Sequence, residues 1–213
     1  MIYLSSQLWF PPVSEASEEG LLAVGGDLSV ERLLLAYQSG VFPWYEADQP
    51  LLWWSPDPRM VLFPEKLKVS KSLKKVITSE VFTVTFNQCF MDVIEQCAKI
   101  KRRGQKGTWI TSEMISAYHS LHIMGIAKSV EVWKEGKLVG GLYGIDLPQK
   151  KVFCGESMFS NESNASKVGF YYWVEKLQSE KYRLIDCQVF TNHLHSLGAE
   201  EIPRKDFMKF LEF

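Results

Sequence analysis

The stretch Val152 to Gly169, VFCGESMFSNESNASKVG, and the run Arg183 to Val189, RLIDCQV, decide how the rest of the chain is read. Val152 to Phe159 has the apolar character of a strand and leads through a polar turn into a helix. Ser163 or Asn164 is placed to cap that helix, because a short side-chain oxygen there accepts a bond from a free backbone N–H. The helix is expected to run to about Glu180, and Leu184 to Val189 then forms a second strand. Strand, helix and strand in this order predict a parallel, right-handed crossover within one sheet. Alternation puts Glu156 and Met158 on one face of the first strand, and Asp186 and Gln188 on one face of the second. Where the faces coincide, two acids and an amide converge. Carboxylates on apolar strands are costly to bury without partners, so the cluster reads either as a functional site or as a cap or structural ion pair.

The 213 residues, 46% hydrophobic and 23% charged, suit one large globular domain or a small domain fused to a larger one. Seven Trp and thirteen Phe supply core volume or flat surfaces for stacking. A formal net charge of -1 gives no overall attraction to a polyanion, so any nucleic-acid contact has to come from a local patch. Cys89, Cys97, Cys154 and Cys187 lack C-x-x-C spacing, and no leader of signal-peptide type is evident, so reduced thiols and the cytoplasm are expected. No apolar run reaches the length of a membrane span, and there is no internal repeat.

Residues 1–28 are turn-rich, and Gly25-Gly26-Asp27 is a weak phosphate-cradle signal better read as a structural turn. Ser29 caps a short helix through Gln38 that Gly40 ends. Val41 to Tyr45 and Leu51 to Arg59 form an aromatic block dense in proline, which forbids a regular helix and holds the tryptophans on a stiff loop. Such rings make either a hydrophobic plug or a platform for a base. Lys66, Lys68, Lys71, Lys74 and Lys75 form one basic run, with Lys71, Lys74 and Lys75 on one helical face. Lys99, Lys101, Arg102, Arg103 and Lys106 form another, after a helix pattern at Asn87 to Ile100 with Phe90, Val93, Ile94 and Cys97 as its apolar stripe. Each run alone reads as a solvated face; together they favour phosphate contact.

Thr111 caps a helix with Met114, Tyr118 and Leu121 on one side, ended by Gly125. His119 with His122, and His193 with His195, carry no established metal-ligand spacing, so no metal site is expected. Ser129 to Trp133 and Leu138 to Ile145 alternate as a hairpin, and Thr191 caps a short last helix before Gly198 and an amphipathic end from Ile202.

Several segments together resemble one family, the bacterial leucyl/phenylalanyl-tRNA–protein transferases: residues 20–44 (GLLAVGGDLSVERLLLAYQSGVFPW), 52–59 (LWWSPDPR), 107–111 (GTWIT), 129–144, 153–160 (FCGESMFS), 164–167 (NASK), 184–189 (LIDCQV) and 196–204. The resemblance spans nearly the whole chain. It implies a mixed α/β protein with a small N-terminal domain, residues 1–58, and a larger acetyltransferase-like (GNAT-like) domain, residues 59–213. It further implies transfer of leucine or phenylalanine from charged tRNA to a protein with N-terminal arginine or lysine, marking that protein for degradation; a monomer and no cofactor are expected. By the same resemblance Asp186 and Gln188 are the catalytic pair and Glu156 their supporting carboxylate. Trp44 and Trp109 hold the terminal adenosine of the tRNA, and Leu142, Met158, Trp173 and Ile185 line the side-chain pocket. Trp173 departs from the phenylalanine usual there, and its larger ring is expected to narrow the pocket. Lys71 and Lys75, with Lys74 beside them, fall where the family meets tRNA, as lysines rather than arginines with their bidentate fork.

These groups suit the chemistry. An aminoacyl ester is already activated, so amide formation requires neither ATP nor a metal. An α-amino group has an ordinary pKa of about 7.7–8.0, so a weak base completes its deprotonation. Asp186 is expected to accept from the acceptor amine, with Gln188 aligning it and Glu156 tuning Asp186. The source of the proton for the leaving ribose oxygen is open, and the acids are equally able to bind a basic N-terminal side chain. Two rivals differ in class: an acyl-CoA-dependent N-acetyltransferase, for which no Q/R-x-x-G-x-G/A loop precedes the helix, and a non-catalytic tRNA-binding module, which leaves Glu156, Asp186 and Gln188 without a use.

Overall fold

The computed structural model describes residues 2–100 and 108–212. Among them the strands form two sheets. The first contains β1 (Ile2–Leu4), β2 (Leu21–Gly25), β3 (Phe42–Pro43) and β4 (Leu52–Trp54), in the order β1-β2-β4-β3, with helix α1 (Val30–Gln38) between β2 and β3. Ser29 caps α1 as expected, accepting from Arg32 N, and Gly40 follows its end with a φ of 73°. The expected loops in this part are partly strands: β1 pairs in parallel with β2, and Trp53 and Trp54 belong to β4. Strands of two to five residues carry little local pattern, and it is their long-range pairing that defines them.

The remaining elements are β5 (Arg59–Leu62), α2 (Lys71–Thr78), β6 (Thr83–Phe86), α3 (Phe90–Lys99), α4 (Ser112–Ile123), β7 (Ala127–Lys134), β8 (Lys137–Leu147), β9 (Val152–Ser160), α5 (Ala165–Ser179), β10 (Leu184–Gln188), α6 (Asn192–Ser196), β11 (Glu200–Ile202) and α7 (Arg204–Leu211). Their strands make a mixed seven-stranded sheet, β11-β5-β10-β9-β8-β7-β6. As the strand, helix, strand pattern requires, β9 and β10 are parallel, pairing Val152 to Cys154 with Leu184 to Asp186. The start of α5 differs from the expected side-chain cap. Asn164 takes the N-cap position in a left-handed conformation, φ 68°, and its side chain makes no capping bond. Instead Ser160 Oγ, at the end of β9, accepts from Ser166 N at 3.2 Å.

The sheet has a core on each face. On one side α5 buries Phe170, Trp173, Val174 and Leu177 against Met60, Leu62, Leu142, Phe153 and Ile185. On the other, α3 and α4 and the whole N-terminal sheet share one cluster that runs from Leu22, Leu33 and Trp53 to Val61, Ile145, Cys154 and Leu184. The expected apolar stripe of α3, Phe90, Val93, Ile94 and Cys97, lies in this cluster. The N-terminal sheet is therefore packed onto the face of the large sheet rather than tethered beside it.

Three of the large sheet's ladders are irregular, and two of them bear on the cavity described below. The β8–β9 ladder shifts between Tyr143–Ser157 and Gly144–Gly155, which leaves Glu156 as the extra residue of a bulge. The β10–β5 ladder skips Cys187, and Gln188 takes a φ of 64°. No β9–β10 ladder pair follows Cys154–Asp186, so the parallel strands part at that point.

The tightest point of the large sheet is Gly144, where a Cβ would run into the Cys154 carbonyl oxygen and the Phe153 ring. Gly144→Ala is expected to lower stability by about 1–3 kcal/mol, the usual cost of overpacking, in urea unfolding with an unchanged m value. A variant as stable as the parent would show that β8 and β9 are free to separate there.

Candidate active site

Where β9 and β10 part, a cavity of about 430 Å³ opens, a size ordinary for a small-molecule site. Its floor is apolar, made by Leu142, Phe153, Met158, Phe170 and Ile185. Trp44, just after β3, and Trp109, just before α4, line it as well, and they also line a smaller recess shared with Tyr45 and Trp54. Trp44 is held by its neighbour, since the Trp54 indole N–H donates to the Trp44 carbonyl at 2.6 Å and the rings lie 5.8 Å apart.

Glu156 and Gln188 lie on the polar wall of the cavity, with Ser157, Thr191 and His193. Gln188 Nε2 donates to Glu156 Oε1 at 2.9 Å, and the Tyr118 hydroxyl donates to Glu156 Oε2 at 3.0 Å. Behind Tyr118 the hydroxyl of Tyr37 makes a further hydrogen bond. Burial pushes the Glu156 carboxyl up from the ordinary range to about 7, against the lowering pull of the hydrogen bonds from Tyr37, Tyr118 and Gln188, while the nearby Asp186 charge adds to the rise. The carboxyl therefore stands poised between its two forms near neutral pH.

Asp186 has a different setting. It is 1% exposed and does not line the cavity. Arg59 Nε donates to its Oδ1 at 2.8 Å and Arg59 Nη2 to its Oδ2 at 2.7 Å, a bidentate pair with both partners buried. Gln188 N donates to Oδ1 at 3.0 Å. Arg59 also donates to the Gly40 carbonyl and lies over the Phe42 and Phe207 rings, with centroids at 4.9 and 4.6 Å. In this arrangement the Asp186 oxygens expected to meet an acceptor amine accept from Arg59 and from Gln188 N, behind the cavity wall.

The bulges account for the difference. Glu156 and Met158 do not share a face: the extra residue in β9 turns Glu156 toward Tyr118, while Met158 packs with the α5-side core. The skipped Cys187 likewise turns Gln188 into the cavity and leaves Asp186 in the sheet. Of the expected pocket residues, Leu142, Met158 and Ile185 line the cavity and Trp173 does not. Trp173 lies behind the floor, its ring 5.0 Å from that of the cavity-lining Phe153 and 5.7 Å from that of Phe86.

Lys71, Lys74 and Lys75 are exposed on α2, with Leu73 buried beneath them. In the second basic run Lys99 pairs with Glu95 at 2.9 Å, and Lys101, Arg102, Arg103 and Lys106 lie outside the described residues. His122 stacks on Phe90 and bonds the Ala127 carbonyl through Nδ1, a structural use. The Gly25-Gly26-Asp27 turn is also structural: Asp27 pairs with Arg32, whose guanidinium covers Gly26. Sequence reasoning misses Arg59, Tyr37 and Tyr118. The available signal is an arginine heading the apolar strand Arg59–Leu62, which requires an acid as deeply placed as Asp186. Tyr118 stands out in the sequence only as one member of an apolar stripe.

The chain matches two family models, Leucyl/phenylalanyl-tRNA protein transferase over residues 61–212 and Leucyl/phenylalanyl-tRNA protein transferase N-terminal domain over residues 26–57. It is similar to leucyl/phenylalanyl-tRNA–protein transferases of Flavobacterium johnsoniae, at 59% identity over 100% of this chain and 99% of that one, and of Christiangramia forsetii, at 60% over 99% and 100%. That of Azotobacter vinelandii is 58% identical over 96% of this chain and 90% of its own. Among solved structures, that of L-PGS from Bacillus licheniformis aligns at a TM-score of 0.45 and 11% identity, over 82% of this chain and 57% of that one.

Asp186→Asn leaves the Arg59 charge buried without its counter-ion and is expected to cost about 3–5 kcal/mol in urea unfolding. Adding Arg59→Met should restore at least half of that loss. Strict additivity of the two single losses would show that the pair is not a unit.

Proposed function

The chain belongs to the leucyl/phenylalanyl-tRNA protein transferase family, and from that membership we propose that it moves leucine or phenylalanine from its tRNA ester to the amino terminus of an acceptor protein. The observation that carries the reading onto this chain is one cavity that joins an apolar floor to the Glu156–Gln188 pair, with Trp44 and Trp109 beside it. The unbranched approach of a leucine or phenylalanine side chain suits the floor of Leu142, Met158 and Ile185. The two indoles offer faces on which the terminal base of the tRNA stacks. Lys71, Lys74 and Lys75 on α2 supply positive charge for its phosphates.

The proton transfer follows from the two carboxyl environments. The acceptor amine attacks the ester carbonyl, a C–N bond forms, and the amine gives a proton to Glu156. As the tetrahedral intermediate collapses, the C–O bond to the ribose breaks and Glu156 returns that proton to the leaving oxygen. A carboxyl near 7 serves both steps, since it accepts from an amine with an ordinary pKa of about 7.7–8.0 and still donates to an alkoxide. Gln188 holds Glu156 in place, and Asp186 with Arg59 holds Gln188. Glu156 thus takes the acid–base role expected of Asp186 and is the source of the ribose proton.

Acceptors with N-terminal arginine or lysine, and their consequent degradation, are proposed from the family, as are a monomeric enzyme and a cytoplasmic location. The test is transfer of radiolabelled phenylalanine from charged tRNA to peptides that differ only in an N-terminal arginine or alanine. Label on the arginine peptide alone is expected. Glu156→Gln should lower kcat by about 10²–10⁴ at pH 7, the usual contribution of acid–base catalysis, with tRNA affinity retained. Activity within threefold of the parent would remove Glu156 from the mechanism, and equal labelling of both peptides would remove the acceptor rule.

A further inference from the structure

The hydrogen-bond chain that ends on Glu156 begins outside the large sheet. Tyr37 is on α1, between strands of the N-terminal sheet, and Tyr118 is on α4. Neither residue lines the cavity, and they are 2% and 0% exposed. The Tyr37 hydroxyl meets that of Tyr118, and the Tyr118 hydroxyl donates to Glu156 Oε2 at 3.0 Å. A phenol has a single proton to give. With the Tyr118 proton directed at Glu156, Tyr37 donates to the Tyr118 oxygen, so both hydroxyls point toward the carboxylate. Aligned donors polarise one another, which strengthens the last bond of the chain.

Packing alone gives no reason for these hydroxyls. Around them the shared core is made of Leu33, Ala36, Met114, Leu121 and similar side chains, among which phenylalanine would cost no polar burial. Resting on the reading of Glu156 as the proton-transfer group, we propose that Tyr37 and Tyr118 are positioning residues for the transfer. Together they hold the Glu156 carboxylate toward the cavity and favour its ionised form, so α1 of the N-terminal part takes part in the chemistry without touching substrate.

The charged and titratable groups facing Glu156 come from several elements. Tyr37 and Tyr118 approach from α1 and α4, with Tyr143 of β8 packed edge-on against Tyr118. Asp186 lies on β10 with its charge met by Arg59 of β5. Cys154 precedes it on β9, and His193 and Cys187 line the same cavity. Burial pushes the Cys154 and Cys187 thiols well up and the His193 imidazole down, in each case toward the neutral form. Among the groups that set its ionisation, the tyrosine pair opposes burial.

Without the Tyr118 hydroxyl, burial acts on Glu156 with less opposition and its pKa rises. The base form is then reached only at higher pH. A hydrogen bond to a charged group of ordinary strength corresponds to about one pH unit or somewhat more. Transfer kcat/KM, divided at each pH by the neutral fraction of the acceptor α-amine (ordinary pKa about 7.7–8.0), would be measured against pH for the full chain, Tyr118→Phe, Tyr37→Phe and Glu156→Gln, with thermal unfolding as the check on folding. Tyr118→Phe is expected to move the acid limb up by about one unit, with roughly fivefold lower activity at pH 7 and near-parental activity in alkali. Tyr37→Phe should move it the same way, and Glu156→Gln should lose the limb. If Glu156→Gln loses the limb while both folded tyrosine variants keep the parental one, or lose activity equally at every pH, the proposal is wrong. If Glu156→Gln keeps the parental limb, the reading of Glu156 is wrong and the tyrosine roles fall with it.

Discussion

Arg59 and Asp186 are two full charges taken out of water, and the surrounding structure is arranged so that neither is left uncompensated. Removing one ion from solvent costs several kcal/mol even after relaxation. The bidentate geometry, the Gly40 carbonyl, the Gln188 N–H and the faces of Phe42 and Phe207 occupy the hydrogen-bonding and electrostatic capacity of the pair. Those partners come from the turn after α1, from β3, from β10 and from α7. A single ion pair therefore fixes the N-terminal sheet, the final helix and the mouth of the cavity relative to one another. Its role is to set geometry, and buried pairs of this kind are weak sources of net stability.

Glu156 shows the opposite treatment a short distance away. Asp186 is given a cation; Glu156 is given neutral donors on both oxygens and a half-buried position against the cavity. One carboxyl is thereby paired with a cation behind the cavity wall and the other stands near its midpoint at the cavity, a division of roles set by environment. Gln188 joins the two, with its backbone N–H on Asp186 and its side-chain amide on Glu156. The bulges in β9 and β10 make this possible, because each turns one residue out of the alternation that would otherwise place it in the sheet.

The crossover from Val152 to Gln188, the hairpin from Ala127 to Leu147 and the caps at Ser29, Thr111 and Thr191 are legible in the sequence, since each rests on contacts within a few residues or on a strong local pattern. The short strands of the first 54 residues are not, because their pairing partners lie far along the chain. Face alternation fails at Glu156 and Gln188, where a bulge inserts a residue that no local pattern announces. Resemblance to a family points to Glu156, Asp186 and Gln188 together. What it leaves undivided, the acid at the cavity from the acid behind its wall, depends on Arg59 and Tyr118, whose meaning comes only from what the fold places against them.

The placement of Arg59 also bears on how the chain is made. β1 to β4 all lie within the first 54 residues, so their pairing partners are at hand early in synthesis. β5 is flanked by β10 and β11, and Asp186 follows Arg59 by 127 residues. At a ribosomal rate of about 5–20 residues per second, Arg59 waits roughly 6–25 s for its counter-ion. Through that interval the strand has neither of its neighbours β10 and β11, while β6 to β9 have neighbours in one another. A chain released before Asp186 carries the N-terminal sheet but has no means of burying the strand that joins it to the rest.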